Sequence, residues 1–416
     1  MSSQGQRRFR LPAQPLVWGI SAGLALLMLT GILISQRDET RQRFSVFLSA
    51  NPTEGVEVFH AKGCVNCHSV NGNGGRVGPD LGWERPDQAT LAQLVTAMWN
   101  HAPKMWDRMR SDRVPYPSLT NDETARLIAY LYMSRHVDPP GNASNGKQLF
   151  QSKGCVRCHA IDGKGGQLGP DLARLPELDS SVAFTRELWN HASAMQVRME
   201  KLGIAWPQFE GHELNDLYAY LRVSNPQSVS RPGVPDPEHG WKVFQDKSCM
   251  ACHSVKDAEG IGPSLGPKLS LPDTFLQVSG LMLTHSPKMQ QAMKEQQISR
   301  PQFQGEEMTD VIAFLYSLRY TEPTGSPHVG ESVFTWRGCS RCHGVDAQGT
   351  KLAPALRGRG QNFNSISLAT ALWRHGNGMY RQNQKMGLNW PTLIESDVGD
   401  LLVFLNSPVN THAARK

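Results

Sequence analysis

The sequence predicts an all-α protein: one N-terminal transmembrane helix followed by four tandem helical units of about 80 residues each. Three observations carry this expectation. A chain of 416 residues exceeds a single core at roughly 100 to 200 residues per domain. The pattern C-x-x-C-H recurs four times, with first cysteines 91, 94 and 90 residues apart, a period that marks a repeat architecture. Apolar residues recur at helical spacing, and no alternating β-branched run is long enough to build a sheet. Hydrophobic residues at 39% and charged residues at 19% exclude both a multi-span membrane protein and a highly charged disordered chain. The net charge of +6 is spread without a basic block, which argues against a nucleic-acid surface.

From the N-terminus, residues 1–15 form a short tail and Leu16 to Ile34 form 19 residues without a charge, about the length that crosses a hydrocarbon core. A cleaved leader is the competing reading, but no small-x-small site follows before the arginines, so the anchor is expected to stay. Arg7, Arg8 and Arg10 on one side match Arg37, Arg41 and Arg43 on the other, so positive charge leaves the orientation open. Residues 35–54 form a linker.

The units are expected at 55–137, 146–224, 240–319 and 330–407, separated by Pro/Gly/Ser-rich joints. Each opens with a glycine four residues before a phenylalanine: Gly55/Phe59, Gly146/Phe150, Gly240/Phe244 and Gly330/Phe334. On a helix the two share a face, and a glycine there invites close approach of a crossing segment. The partners are expected in the amphipathic segments that hold Tyr130, Tyr220, Phe314 and Phe404. Units this small, below roughly 80 residues, usually need a covalent staple or cofactor.

The eight cysteines supply that staple. Cys64/Cys67, Cys155/Cys158, Cys249/Cys252 and Cys339/Cys342 are each followed by a histidine: His68, His159, His253 and His343. C-x-x-C-H reads as c-type haem attachment, in which two thiols add to vinyl groups and the adjacent imidazole reaches the iron. Four covalently bound haem c groups are therefore expected. Structural zinc would leave the four histidines unexplained, and thiol exchange lacks a βαβ pattern.

Each motif is followed by a loop, Gly78-Pro79-Asp80-Leu81, Gly169-Pro170-Asp171-Leu172, Gly262-Pro263-Ser264-Leu265 and the altered Ala353-Pro354-Ala355-Leu356. With the glycine/phenylalanine helix and the terminal aromatic helix, the units resemble class I c-type cytochrome domains over about residues 55 to 407. The resemblance implies that Pro79, Pro170, Pro263 and Pro354 accept the proximal imidazole N–H through their carbonyls. It also implies haem attachment outside a bacterial cytoplasmic membrane, with the tail cytoplasmic and the units periplasmic.

The sequence departs from that family at the sixth iron ligand. No methionine precedes the proline; Val114-Pro115, Trp206-Pro207, Arg300-Pro301 and Trp390-Pro391 occupy the place. H-x-x-x-M recurs upstream instead, so Met105, Met195, Met289 and Met379 are the first choice. His101, His191, His285 and His375 are the alternative, and Met109, Met199 and Met293 a third, with Asn383 in the fourth repeat. Trp99, Trp189, Trp206, Trp373 and Trp390 are expected at haem edges and in cores. His60, His136, His212, His239, His328 and His412 follow no repeat and are expected at the surface.

With a candidate for both axial positions in every repeat and no catalytic constellation, the chain reads as an electron carrier rather than an enzyme. The expected role is a membrane-anchored tetrahaem relay in the periplasm, between a membrane respiratory or photosynthetic complex and a periplasmic or extracellular acceptor. The alternative is an electron-transfer subunit of a larger membrane oxidoreductase or reaction-centre complex. No nucleic acid and no small molecule bound at iron is expected.

Overall fold

The computed structural model describes residues 50–82, 90–175, 180–225, 234–256, 258–320, 322–358, 360 and 362–408. The tail, the anchor expected at 16–34 and most of the linker lie outside the described residues, as does His412. Among the described residues no helix is long and apolar enough to cross a membrane.

What is described is mostly helical and repeats three helices four times. The leading helices are Pro52–Ala61, Ala143–Ser152, Pro237–Asp246 and Pro327–Trp336. They begin three residues ahead of the expected starts. Asn51, Asn142 and Asp236 accept amide hydrogens of the first turn, and proline suits that turn because its missing N–H needs no partner. The long helices, Leu91–Ser111, Ser181–Lys201, Phe275–Glu295 and Ser365–Lys385, have 21 residues each. The closing helices are Asn121–Ser134, Glu213–Ser224, Glu307–Ser317 and Glu395–Asn406. Two antiparallel two-residue ladders, Ser69–Val70 with Asn73–Gly74 and Ala160–Ile161 with Lys164–Gly165, are the only strands among the described residues.

Leading and closing helices cross where the glycines stand. A Cβ on Gly55, Gly146, Gly240 or Gly330 would lie 2.1, 1.9, 1.8 or 2.0 Å from the carbonyl oxygen of Arg126, Asp216, Asp310 or Asp400. The expected aromatic partners close each crossing, at ring separations of 5.7 Å (Phe59–Tyr130), 5.9 Å (Phe150–Tyr220), 5.5 Å (Phe244–Phe314) and 5.4 Å (Phe334–Phe404). In three units the carboxylate of Asp216, Asp310 or Asp400 also accepts the backbone N–H of Asn142, Asp236 or Ser326 at 2.7 Å. Unit one has Arg126 there, paired with Glu54 and Asp122 instead.

The long helices pack unit against unit, one with four and two with three. Trp99 donates its indole N–H to the carbonyl of Pro391 (2.6 Å), and Trp373 returns the bond to Pro117 (2.9 Å). Asn100 exchanges two 2.8 Å bonds with the backbone of Leu393, and Arg374 donates to Leu119. The other pair repeats this: Trp189 donates to Pro301, Asn190 exchanges bonds with the backbone of Phe303, and the Phe209 N–H donates to Thr284 Oγ1. Such reciprocity is the mark of a two-fold seam.

These seams explain the prolines inside two long helices. Pro103 and Pro287 leave the carbonyls four residues earlier without a helical partner. Those are the carbonyls of Trp99 and Leu283, and they accept the indole N–H of Trp390 (3.2 Å) and of Trp206 (2.8 Å) from the neighbouring unit. In the other halves of the seams, Tyr116 donates to Trp373 and Arg300 to Trp189. The tryptophans expected at haem edges and in cores do lie in cores, with Trp99, Trp189 and Trp373 buried, and they also tie units together at the seams. His136 departs from the surface expectation as well: its ring stacks on Tyr316 of unit three at 3.7 Å.

Candidate functional site

Each C-x-x-C-H motif sits on a tight turn after its leading helix. Gly63, Gly154 and Gly338 take positive φ just before the first cysteine, and Ser248 takes the same conformation in unit three. The turn folds back so that the histidine N–H donates to the first cysteine's carbonyl at 2.9 to 3.0 Å. That brings two thiols and one imidazole together from five consecutive residues.

The eight cysteines are free and half-buried. Burial pushes the Cys64 thiol up, and those of Cys155, Cys249 and Cys339 to about 11. Thiols so disposed stay protonated at neutral pH, the reverse of a redox or metal-thiolate cysteine. No cluster of three or more His, Cys, Asp or Glu that could hold a metal ion occurs among the described residues.

The imidazoles are oriented alike. Nδ1 of His68, His159, His253 and His343 lies 3.0, 3.1, 3.0 and 2.9 Å from the carbonyl oxygen of Pro79, Pro170, Pro263 and Pro354. With Nδ1 committed as donor, Nε2 is the nitrogen left for a metal. The glycine before the proline abuts the ring: a Cβ on Gly78, Gly169 or Gly262 would lie 2.4, 2.4 or 2.7 Å from the imidazole Cε1. Unit four has Ala353 there, yet keeps the histidine–proline bond through a different loop, in which Gly349 donates to His343 and Thr350 to Ala353.

Sequence reasoning missed the aspartate of the first two loops. Asp80 accepts from Ser69 Oγ and from the amides of Asn71, Gly72 and Gly82; Asp171 accepts from those of Asp162, Gly163 and Ala173. Each latches its proline loop to the small ladder after the histidine. Ser264 and Ala355 replace it, and among the described residues units three and four have no ladder. The signal was that difference between repeats.

On the long helix the two candidate sets part. His101, His191, His285 and His375 are exposed. Nδ1 of His191 and of His285 bonds back to the carbonyl of Glu187 (3.0 Å) and of Leu281 (2.8 Å) on its own helix. Met105, Met195, Met289 and Met379 are half-buried, and Met105 packs with Met109 against the cluster of Phe59, Val70 and Leu127 that also holds Cys64. In unit one the side chain packed on the core is therefore the methionine. The reference proline is also two residues later in unit one than expected. Tyr116-Pro117, rather than Val114-Pro115, occupies the seam position of Trp206-Pro207, Arg300-Pro301 and Trp390-Pro391; the earlier Val-Pro misled the sequence register.

The family model for cytochrome c matches residues 52–133, 143–224 and 237–319, more than half of the chain. The chain belongs to the cytochrome c family. No curated protein and no solved structure matches it. The matches make it a multi-domain c-type cytochrome, an electron-transfer protein that binds haem c covalently. Its residues fit that group: paired thiols beside an imidazole whose Nε2 is free to coordinate, with a glycine against the ring in the first three units.

In this cytochrome Gly78→Ala is expected to push the His68 ring off its Pro79 bond, since the added carbon would overlap Cε1. A high-spin ferric signal from one haem, absent from the parent protein, is the expected readout by electron paramagnetic resonance.

Proposed function

We propose that this cytochrome carries four haems, one per unit, and works as a membrane-anchored electron relay. The observation that supports the count is the fourth unit. Beyond the three matched segments it repeats the His343–Pro354 bond at 2.9 Å, the glycine crossing at Gly330 and the Phe334–Phe404 contact.

In this reading Cys64/Cys67, Cys155/Cys158, Cys249/Cys252 and Cys339/Cys342 hold the groups, and His68, His159, His253 and His343 are the proximal ligands. Met105, Met195, Met289 and Met379 cover the opposite faces. Bound haem supplies one reversible electron per unit. The proline carbonyls fix each imidazole, and the half-buried methionines would hold the far side of each haem against water and substrate, so that valence change would be the chemistry. Tethering through residues 16–34 would confine the relay at a bacterial inner membrane, raising its effective concentration near a membrane complex and a periplasmic redox partner.

A redox titration followed by electron paramagnetic resonance tests this. Four one-electron steps of low-spin haem and no carbon monoxide adduct in the reduced native protein are expected. Ready carbon monoxide binding would overturn the closed-site relay. A red-region sulfur-to-iron band in the ferric spectrum is expected from methionine ligation; purely bis-histidine signatures would transfer the role to His101, His191, His285 and His375. The second reading, a subunit of a larger membrane complex, draws on Gly19, Gly23 and Gly31 in the apolar segment, which permit close helix packing. Stoichiometric co-purification after mild detergent extraction would favour it.

A further inference from the structure

The seams join more than surfaces. Trp373 of unit four is a member of the buried cluster of unit one, with Phe59, Val70 and Leu127, and Cys64, Val65 and Met105 pack against that cluster. Leu276 and Leu283 of unit three belong likewise to the buried cluster of unit two, against which Cys155 and Val156 pack. A residue of the neighbouring unit therefore sits in the same core as the attachment cysteine. The long helices of a couple pack on each other, and closing helices of each unit reach the neighbour's long helix.

The two seams differ in character. Between units one and four, Trp99, Trp106, Tyr116, Trp373, Tyr380 and Trp390 form an aromatic cluster, with Trp99 and Trp390 centred 4.1 Å apart and Tyr116 stacked on Trp373 at 5.0 Å. Between units two and three a cation replaces part of it. Arg300 lies 3.8 Å over the Trp189 ring and donates to Gln290. A third joint links the couples. Tyr132 donates to the carbonyl of Tyr316 at 3.0 Å and His136 stacks on the Tyr316 ring. The carboxylate of Asp138 accepts the N–H of Leu276 at the start of unit three's long helix.

We infer that the units act as two interlocked couples, one with four and two with three, joined between one and three, so that electrons pass in the order two, three, one, four, or its reverse, and not along the sequence. At each passage one unit is oxidised as its neighbour is reduced, with no bond or proton changed. The inference rests on the four-haem relay proposed above.

Charges placed in the seams test it in the full-length holoprotein, with the four midpoint potentials resolved by g-value during redox titration. Arg300→Gln removes a cation from the seam of two and three and should lower the potentials of two haems, about tenfold in each reduction equilibrium. Trp390→Arg installs the arginine that unit three carries at the equivalent position and should raise the other two. Should that variant not fold, Tyr380→Lys, on the same seam beside Asp107, brings in the cation. Asp138→Asn should raise one member of each couple. Disjoint pairs with Asp138→Asn spanning them are the expected result. A haem that responds to both seam variants, or Asp138→Asn moving two members of one couple, would overturn the order. Fewer than four steps in the parent protein would instead remove the four-haem reading.

Discussion

Gly330→Ala should destabilise the fourth unit by about 3 kcal/mol or more, at the upper end of overpacking costs. The new carbon would lie 2.0 Å from the Asp400 carbonyl oxygen, 2.6 Å from its carbon and 2.7 Å from Phe404 Cβ. Two of these atoms are backbone in the middle of the closing helix, so no rotamer change relieves them. The helices would have to separate, which opens the Phe334–Phe404 contact and strips the Ser326–Asp400 bond. Gly378→Ala is the matched control. It lies in the same unit's long helix with nothing within 4 Å, and there alanine gains about 0.5–1 kcal/mol of helix propensity over glycine. Thermal unfolding of the two holoproteins, followed by Soret circular dichroism, should move in opposite directions.

Trp106→Ala should cost about 3–5 kcal/mol, the range for truncating a buried aromatic. The indole is 2% exposed and donates at 2.7 Å to the Tyr116 hydroxyl, which itself donates to the Trp373 carbonyl at 2.6 Å. Its ring meets Trp390 edge-on at 5.4 Å and Tyr380 at 5.8 Å. Gly376 of unit four makes the room: a Cβ there would lie 2.5 Å from Trp106 Cη2. Removing the indole therefore empties the middle of the seam between one and four and leaves a phenol without its donor. Trp336, 80% exposed, is the comparison, and its alanine variant should stay within about 0.5 kcal/mol of the parent. Calorimetry of the two variants checks both.

Much of this was legible in the sequence because the repeat supplied four measurements of each position. The Gly/Phe pairs named the helix crossing and its partners correctly, since only glycine permits the backbone contact. The resemblance to class I c-type cytochrome domains implied the bond from each imidazole to its proline carbonyl, and the four bonds are there at 2.9 to 3.1 Å. What stayed hidden was the contact of unit with unit. Trp99 and Trp373 recur for a reason the period cannot distinguish from packing within a unit, because an indole suits either place. Pro103 and Pro287 drew no reading from the sequence, because the carbonyls they release are satisfied by indoles of the neighbouring unit. The sixth ligand was open in the sequence for another reason: His101 and Met105 stand one turn apart and both recur in every repeat, and the structure adds that the imidazole is exposed and the thioether half-buried.

Intact mass spectrometry of the protein matured in its own host tests the central claim most directly. Four covalent haem masses on one polypeptide, with Cys64, Cys67, Cys155, Cys158, Cys249, Cys252, Cys339 and Cys342 all resistant to alkylation, is the predicted result. Three haems with Cys339 and Cys342 alkylated would contradict the fourth site and with it the paired relay.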